Sequence, residues 1–287
     1  MIWVIMTASD KDSYVTQRNQ NFIKEALGTD NVTFVNVQQD EDSLNDLKIS
    51  EKDIVIAQTR NGIVLDKIGE LKAKNTSESS RTIVLTKNKE VLKEELYRHG
   101  ISFPKSYSKN DLRDDYMYFV KPLMGEDSNM VDNLSVCKNA EEVRKKVEEI
   151  ESMGDVAIIE DFIAGTECTA ACIVNQKTGD VDVYPIFVEL TTPYNILTHE
   201  AKMQEEEVCR VCNLEAVKET ARKVCKVLGI QHYLRIDFRI YSTGVPFVID
   251  CNLFPGLGPT DHFAKCLLLT ENMSYIDALK AVIASAS

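Results

Sequence analysis

Two short runs near the end of the chain constrain it more than anything else in the sequence. Arg235-Ile236-Asp237-Phe238-Arg239 lies in one alternating apolar stretch, and Asp250-Cys251-Asn252-Leu253-Phe254-Pro255-Gly256 closes the next. Tyr233 to Tyr241 reads as one strand and Val245 to Asp250 as its partner, with Ser242-Thr243-Gly244 as the turn. Successive strand side chains point to opposite faces, so Arg235, Asp237 and Arg239 share a face. Asp250 and Asn252 share another, and the hairpin sets the two groups side by side. Two carboxylates and an amide oxygen converging on one point form a hard-oxygen donor set suited to Mg²⁺, with an arginine next to it.

The rest of the composition narrows the function classes. The 287 residues are 44% hydrophobic, enough for a large core and two or three subdomains. A net charge of -12 argues against nucleic acid and anionic membrane as partners. No apolar run approaches membrane-spanning length, and Met1 to Met6 reads as a buried first strand rather than a leader. Eight cysteines without dense spacing point to free thiols and a reducing cytoplasm. Cys209 and Cys212 form a single CxxC, which reads as unlinked thiols near a helix start.

Along the chain, three segments emerge. Residues 1–85 alternate strand-like runs (Trp3 to Met6, Val32 to Val37, Ile54 to Ala57, Thr82 to Leu85) with helix-like ones (Tyr14 to Leu27, Val64 to Ala73). That alternation predicts a small parallel α/β layer. Asn75 to Ser80 reads as a polar loop. The segment 86–164 opens with a lysine-rich helix, Asn88 to His99, closed by Gly100. It continues with a strand at Tyr116 to Lys121, a charged helix at Ala140 to Met153 and a strand at Val156 to Glu160. The segment 165–287 holds long strands (Cys168 to Val174, Val181 to Leu190), a polar stretch at Thr198 to Glu207, a helix at Glu215 to Leu228, the acidic hairpin and two terminal helices.

Other stretches carry possible chemistry. Lys121-Pro122 runs into Gly125-Glu126-Asp127-Ser128-Asn129-Met130, where backbone N–H groups and a lysine could meet phosphate. An ordinary strand-to-strand turn is the other reading. Glu160, the Phe162-Ile163 backbone and Glu167 could line an adenosine slot, or simply end a strand with surface acids. His262 follows Asp261 beside Pro255-Gly256, either lining a substrate pocket or standing at an exposed helix start. No GxSxG, GxGxxG or HExxH occurs, which weakens serine-hydrolase, dinucleotide and zinc readings.

Taken in order, these motifs resemble the ATP-grasp superfamily, in its D-alanine–D-alanine ligase-like branch. The resemblance covers roughly residues 86 to 265. It rests on Asn88-Lys89, Val120-Lys121-Pro122, Glu126-Asp127-Ser128, Glu160 to Glu167, Glu200-Ala201-Lys202, Arg235-Ile236-Asp237, and Asp250-Cys251-Asn252 with Pro255-Gly256. It implies an α/β (α+β) fold in which a small N-terminal domain precedes two subdomains that clasp ATP. Lys89, Lys121 and Lys202 would contact phosphates, with Lys202 also counted as catalytic, and the loop carrying Asp127 and Ser128 would close over them. Glu160, Asp161, Phe162 and Ile163 would surround adenine, and Glu167 the ribose. Asp237, Asp250 and Asn252 would hold two Mg²⁺ ions, with Mn²⁺ as a substitute, and Arg235 would face the reacting carboxylate.

The implied activity is an ATP-dependent carboxylate–amine ligase working through an acylphosphate. Its small-molecule partners are a carboxylate and an amine, with a carrier protein or peptide as acceptor and a homodimer left open. Some residues depart from the branch. Asp250 stands where glutamate is usual. Near Gly256, Asp261 and His262 occupy the region where a serine holds the second D-alanine. These departures imply an amino acid or small carboxylate other than the D-Ala-D-Ala pair. D-alanine–D-alanine ligation itself and an inert nucleotide-binding protein are the alternatives.

Overall fold

The computed structural model describes residues 1–7, 14–40, 42, 44–123, 130–190, 192–196, 198 and 207–287, without the side chains of 14–17. Three sheets follow one another along the chain. The first is parallel, with order β2-β1-β3-β4, and is built from β1 (Ile2–Thr7), β2 (Val32–Val37), β3 (Ile54–Ala57) and β4 (Lys74–Asn75). Helices α1 (Tyr14–Leu27) and α2 (Gly62–Gly69) provide crossovers. Strands β1 and β3 are continuous apolar runs because helices and neighbouring layers bury them on both faces.

The expected strand at Thr82 to Leu85 is instead part of α3 (Ser80–Lys87). Ser79 caps this helix by accepting from Thr82 N, and Thr86 Oγ1 donates back to the Thr82 carbonyl. A capped first turn outweighs the β-branched preference of Thr82, Ile83 and Val84. The expected polar loop is also different: Asn75, Thr76, Ser77 and Glu78 are all buried. Asn75 exchanges backbone hydrogen bonds of 3.0 and 3.2 Å with Ser287. Glu78 accepts from the backbone N–H groups of Gln231 and His232, and the His232 ring reaches the Ser77 and Ser285 carbonyls. A buried polar strip thus ties the first sheet to the last part of the chain.

The central sheet is antiparallel, order β5-β8-β6-β7, from β5 (Ser106–Tyr107), β6 (Tyr118–Pro122), β7 (Val136–Cys137) and β8 (Ala157–Asp161). Helix α4 (Lys89–Arg98) starts on the Asn88 cap, and Gly100 beyond its end takes the left-handed φ of +69°. Helix α5 (Ala140–Ser152) lays Val143, Val147 and Ile150 on Tyr118, Val120 and Ile159.

The C-terminal sheet has order β11-β10-β9-β12-β13, from β9 (Gly165–Val174), β10 (Val181–Leu190), β11 (Glu207–Val211), β12 (Tyr233–Tyr241) and β13 (Pro246–Asn252). Helix α6 (Glu215–Leu228) packs Val217, Ala221 and Val224 into the core that includes Leu234, Ile236 and Phe238. On the other face, α7 (His262–Thr270) and α8 (Tyr275–Ala284) meet Ala171, Ile173 and Tyr233. Helices therefore pack on both faces of this sheet. Among the described residues, no helix is long and apolar enough to cross a membrane.

Glu78 gives the domain junction a pH signature. Burial pushes its carboxyl from 4.5 up to about 7, against the backbone N–H groups that favour the charged form. The folded state keeps the proton that the unfolded chain releases, so stability from this group falls as pH rises from about 4.5 to about 7. Glu78→Gln should remove that slope. The variant should gain roughly 2–3 kcal/mol over wild type at pH 8 and nothing at pH 4, measured by urea unfolding across pH. An unchanged slope in the variant would contradict the assignment.

Candidate active site

A cavity of about 260 Å³ opens between the central and C-terminal sheets, close to the roughly 300 Å³ lower bound of ordinary small-molecule sites. Lys89, Lys121, Glu160, Asp161, Phe162, Ile163, Glu167, Arg235, Asp237, Asp250, Asn252 and His262 all line it. Sequence reasoning singled out each of these twelve. Asp127, Ser128 and Lys202 lie outside the described residues, as does the rest of the expected lid from Gly125 to Asn129.

The acid cluster depends on an irregularity between β12 and β13. Arg235 pairs with Asn252, Ile236 with Cys251 and Asp237 with Asp250, but Phe238 pairs with Val248. Ile249 is the extra residue of a β-bulge. Phe238, Val248, Ile236 and Cys251 all point into the core shared with α6. Without the bulge, strand alternation after Val248 would turn Asp250 into that core. With it, Asp250 stands opposite Asp237 and lines the cavity. The Ile249 carbonyl accepts from Lys121 Nζ at 3.3 Å.

Asp237 is held firmly. Arg235 grips it with two bonds, Nε to Oδ1 at 3.0 Å and Nη2 to Oδ2 at 2.8 Å, and Thr169 donates to Oδ1 at 2.6 Å. Burial alone would raise this carboxyl, but the guanidinium and the hydroxyl outweigh it and hold the group below its ordinary range. Asn252 Oδ1 accepts from Phe254 N at 3.0 Å, which fixes the amide at the strand end. Two carboxylates and an amide oxygen on one face fit a hard divalent cation.

On the central sheet Glu160 is nearly fully buried between two lysines. Lys121 Nζ lies 2.9 Å from Oε2 and Lys93 Nζ 2.8 Å from Oε1, the latter an ion contact off the hydrogen-bond line. Burial acts to raise this carboxyl, and the Lys121 and Lys93 charges override it and hold it low. Glu160 therefore pairs with two lysines while lining the cavity. Lys93 was missed as a site residue, although it stands one helical turn after Lys89 and so shares its face. It also bonds Ser106 and Glu90. Lys89 donates to the Pro122 carbonyl at 3.4 Å, and burial lowers its ammonium below the ordinary value.

The stretch after β8 is equally well tied. Asp161 accepts from the Tyr107 and Tyr116 hydroxyls at 2.7 Å each. Phe162 N donates to Met117 O at 3.2 Å. Arg239 donates to the carbonyls of Ile163, Tyr194 and Asn195, lies over the Phe162 ring, and stands 3.5 Å from Glu167. It pins this stretch to the C-terminal sheet.

At the other end, Asp261 accepts from Asn19 Nδ2 at 2.6 Å and Gly258 N at 2.8 Å. A Cβ on Gly256 would fall 2.4 Å from Asp261, and one on Gly258 2.0 Å from Asn19, so this loop needs its glycines. Asp261 thus organises the loop. His262 faces Glu207, with Nε2 2.9 and 2.8 Å from its two oxygens, and Lys265 Nζ is 2.6 Å from Glu207. Burial would raise Glu207, yet His262 and Lys265 bring it down to about 2. Glu207, Cys209 and His262 form the only cluster of three His, Cys, Asp or Glu side chains close enough to share an ion among the described residues, and Lys265 supplies its countercharge. No sequence motif announced Glu207 or Lys265. The CxxC divides: Cys209 faces Glu207 at 3.6 Å, and Cys212 partners Cys168, whose thiol draws it down to about 7. All eight cysteines are free thiols.

The family described as "D-ala D-ala ligase C-terminus" matches residues 104–284, well over half of the chain. The chain belongs to this family. A D-alanine–D-alanine ligase of Maridesulfovibrio salexigens is 30% identical over 193 residues, 61% of this chain and 60% of that protein. The ligase of Francisella tularensis subsp. novicida is 28% identical over 79% of this chain and 76% of its own length. The solved D-alanine–D-alanine ligase of Bacillus anthracis, in complex with ATP, superposes with a TM-score of 0.75 at 17% identity, covering 99% of this chain and 96% of that one. The fold is ATP-grasp, as the ordered motifs implied.

Glu160→Leu should leave Lys93 and Lys121 buried without their shared counterion. We expect a loss of about 3 kcal/mol in urea unfolding at neutral pH, because removing one partner of a buried ion pair strands the other. A loss below about 1 kcal/mol, the range of exposed pairs, would show that solvent reaches the triad.

Proposed function

We propose that this protein is an ATP-dependent carboxylate–amine ligase that forms an amide through an acylphosphate. The observation that carries this reading is the convergence of two opposed donor groups on one cavity. Lys89, Lys121 and the Glu160 ion pair enter from the central sheet, and Arg235, Asp237, Asp250 and Asn252 from the C-terminal sheet. A carboxylate has no good leaving group, and phosphorylation provides one. Lys89 and Lys121 would bind the phosphates, and Asp237, Asp250 and Asn252 would hold Mg²⁺, which neutralises charge as two anions approach. Arg235, already oriented by Asp237, would donate to the oxyanion that forms when the amine attacks. The enclosing sheets keep water from the activated acid.

The substrates we infer are small molecules other than the D-alanine pair. Asp261 stands where the branch presents a serine to the second substrate, and its carboxylate is spent on Asn19 and Gly258. The cavity wall there is the His262 ring, backed by Glu207. D-alanine–D-alanine ligation remains the second reading, favoured by the relatives' names. We also propose a cytoplasmic location, a reading supported by the eight free thiols.

The test is ADP release with Mg²⁺ and ATP over D-alanine and the common amino acids, singly and in pairs. Asn252→Ala and Asp237→Asn should each lose at least 100-fold in turnover with the unfolding midpoint little changed. Near-normal turnover in either variant would remove the metal assignment. ADP release with the D-alanine pair alone would select the second reading.

A further inference from the structure

An amine arrives at neutral pH as an ammonium, and its lone pair is unavailable until a proton leaves. The ligase reading therefore needs a base in the cavity. Most lining groups are already committed. Glu160 is shared by Lys93 and Lys121, Asp161 by two tyrosine hydroxyls, Glu167 by Arg239 and Asp237 by Arg235 and Thr169. Asp250 is a metal ligand in that reading, and the lysines and arginines are cations. Among the described lining residues, His262 is left as the one with a ring nitrogen able to take up a proton.

We propose that His262 is the general base for the amine, and that Glu207 is its positioning residue. This rests on the ligase reading above. Both Glu207 oxygens lie within 2.9 Å of Nε2, so Nε2 carries a proton toward the carboxylate and Nδ1 is the nitrogen with a lone pair. Glu207 comes from β11 and His262 from the first position of α7, so two rigid elements fix the ring. The pairing follows the general logic of a base oriented by a carboxylate. The ammonium gives one proton to Nδ1. The freed lone pair attacks the acyl carbon, the C–N bond forms, and the C–O bond to phosphate breaks. The second nitrogen proton leaves with the phosphate as hydrogenphosphate. The charge formed on the imidazole meets Glu207 on one side. Asp237 on β12 also attracts it, while Lys265 on α7 and the Arg235 paired with Asp237 oppose it, and Cys209 on β11 belongs to the same cluster.

Hydroxylamine separates this role from a structural one, because it is a weak base that is already unprotonated at neutral pH. The full chain, with ATP and Mg²⁺, is assayed for amide and for hydroxamate using D-alanine and each common amino acid as donor. His262→Gln should lose about 100-fold or more in amide formation and far less in hydroxamate formation. The acid limb of the wild-type amide pH–rate profile should vanish in His262→Gln and shift in Glu207→Gln. Equal losses with both acceptors, or normal amide formation in His262→Gln, would overturn the proposal while leaving the ligase reading intact. Absence of ADP, amide and hydroxamate with every donor in wild type would overturn the ligase reading, and this proposal with it.

Discussion

The bulge at Ile249 is the constraint on which the rest of the site depends. A regular ladder between β12 and β13 can place either Val248 or Asp250 correctly, but not both. Val248 must enter the core beside Phe238, because α6 covers that face. Asp250 must leave it, because an ionised carboxylate among Ile236, Cys251 and Phe238 would be costly to bury. One inserted residue resolves the conflict, and it also turns the Ile249 carbonyl toward Lys121 of the central sheet. The same irregularity therefore assembles the acid pair and links the two sheets that enclose the cavity.

Around that centre the excess of acid seen over the whole chain is cancelled, with five acids lining the cavity beside six cations. The chain carries -12 overall, yet Arg60, Lys87, Lys89, Lys121, Arg235 and Arg239 all line the cavity. A low-dielectric cleft lined by cations draws in a polyanion even when the distant surface repels it. The acids among them are ion-paired or hydrogen-bonded in most cases, so they orient cations as much as they offset them. Glu160 orients Lys121, Asp237 orients Arg235, and Glu167 stands by Arg239.

Much of this could be read from the residues, and the unreadable parts share a cause. Strands β2, β3, β10 and β12 and helix α6 fall where hydrophobic periodicity puts them, because each buries a continuous face in the core. Arg235, Asp237, Asp250 and Asn252 were legible because hard-oxygen and cationic types cluster on one hairpin, and the ATP roles of the other lining residues came from the order of the motifs and the family they resemble. Thr82 to Leu85 misled because the Ser79 cap and the Thr82 bond to the Leu228 carbonyl, 146 residues away, decide its conformation. The Asn75 to Glu78 strip looked like a loop because its polar groups find buried partners only in tertiary structure, at Ser287, Gln231 and His232. Glu207 was invisible for the same reason: its meaning lies in His262 and Lys265, more than fifty residues on. Lys93 alone carried a local signal, its spacing from Lys89.

The first sheet has more to do than stand beside the site. Asn19 of α1 bonds Asp261, and Arg18 bonds Thr260, so the loop that leads into His262 is held from the N-terminal layer. Arg60, between β3 and α2, reaches the cavity from that same layer, on a turn fixed by Thr59 and by the Asn61 cap. Glu78 and Asn75 bind the layer to β12 and to the chain end. A change in how the first sheet packs would therefore move Arg60 and His262 together, and both line the cavity. In the proposed ligase, with its phosphate and metal groups on the other two layers, this would separate the reaction from the choice of substrate. On that reading the central and C-terminal sheets would keep one chemistry while the N-terminal layer, through two short polar ties, would select what is joined.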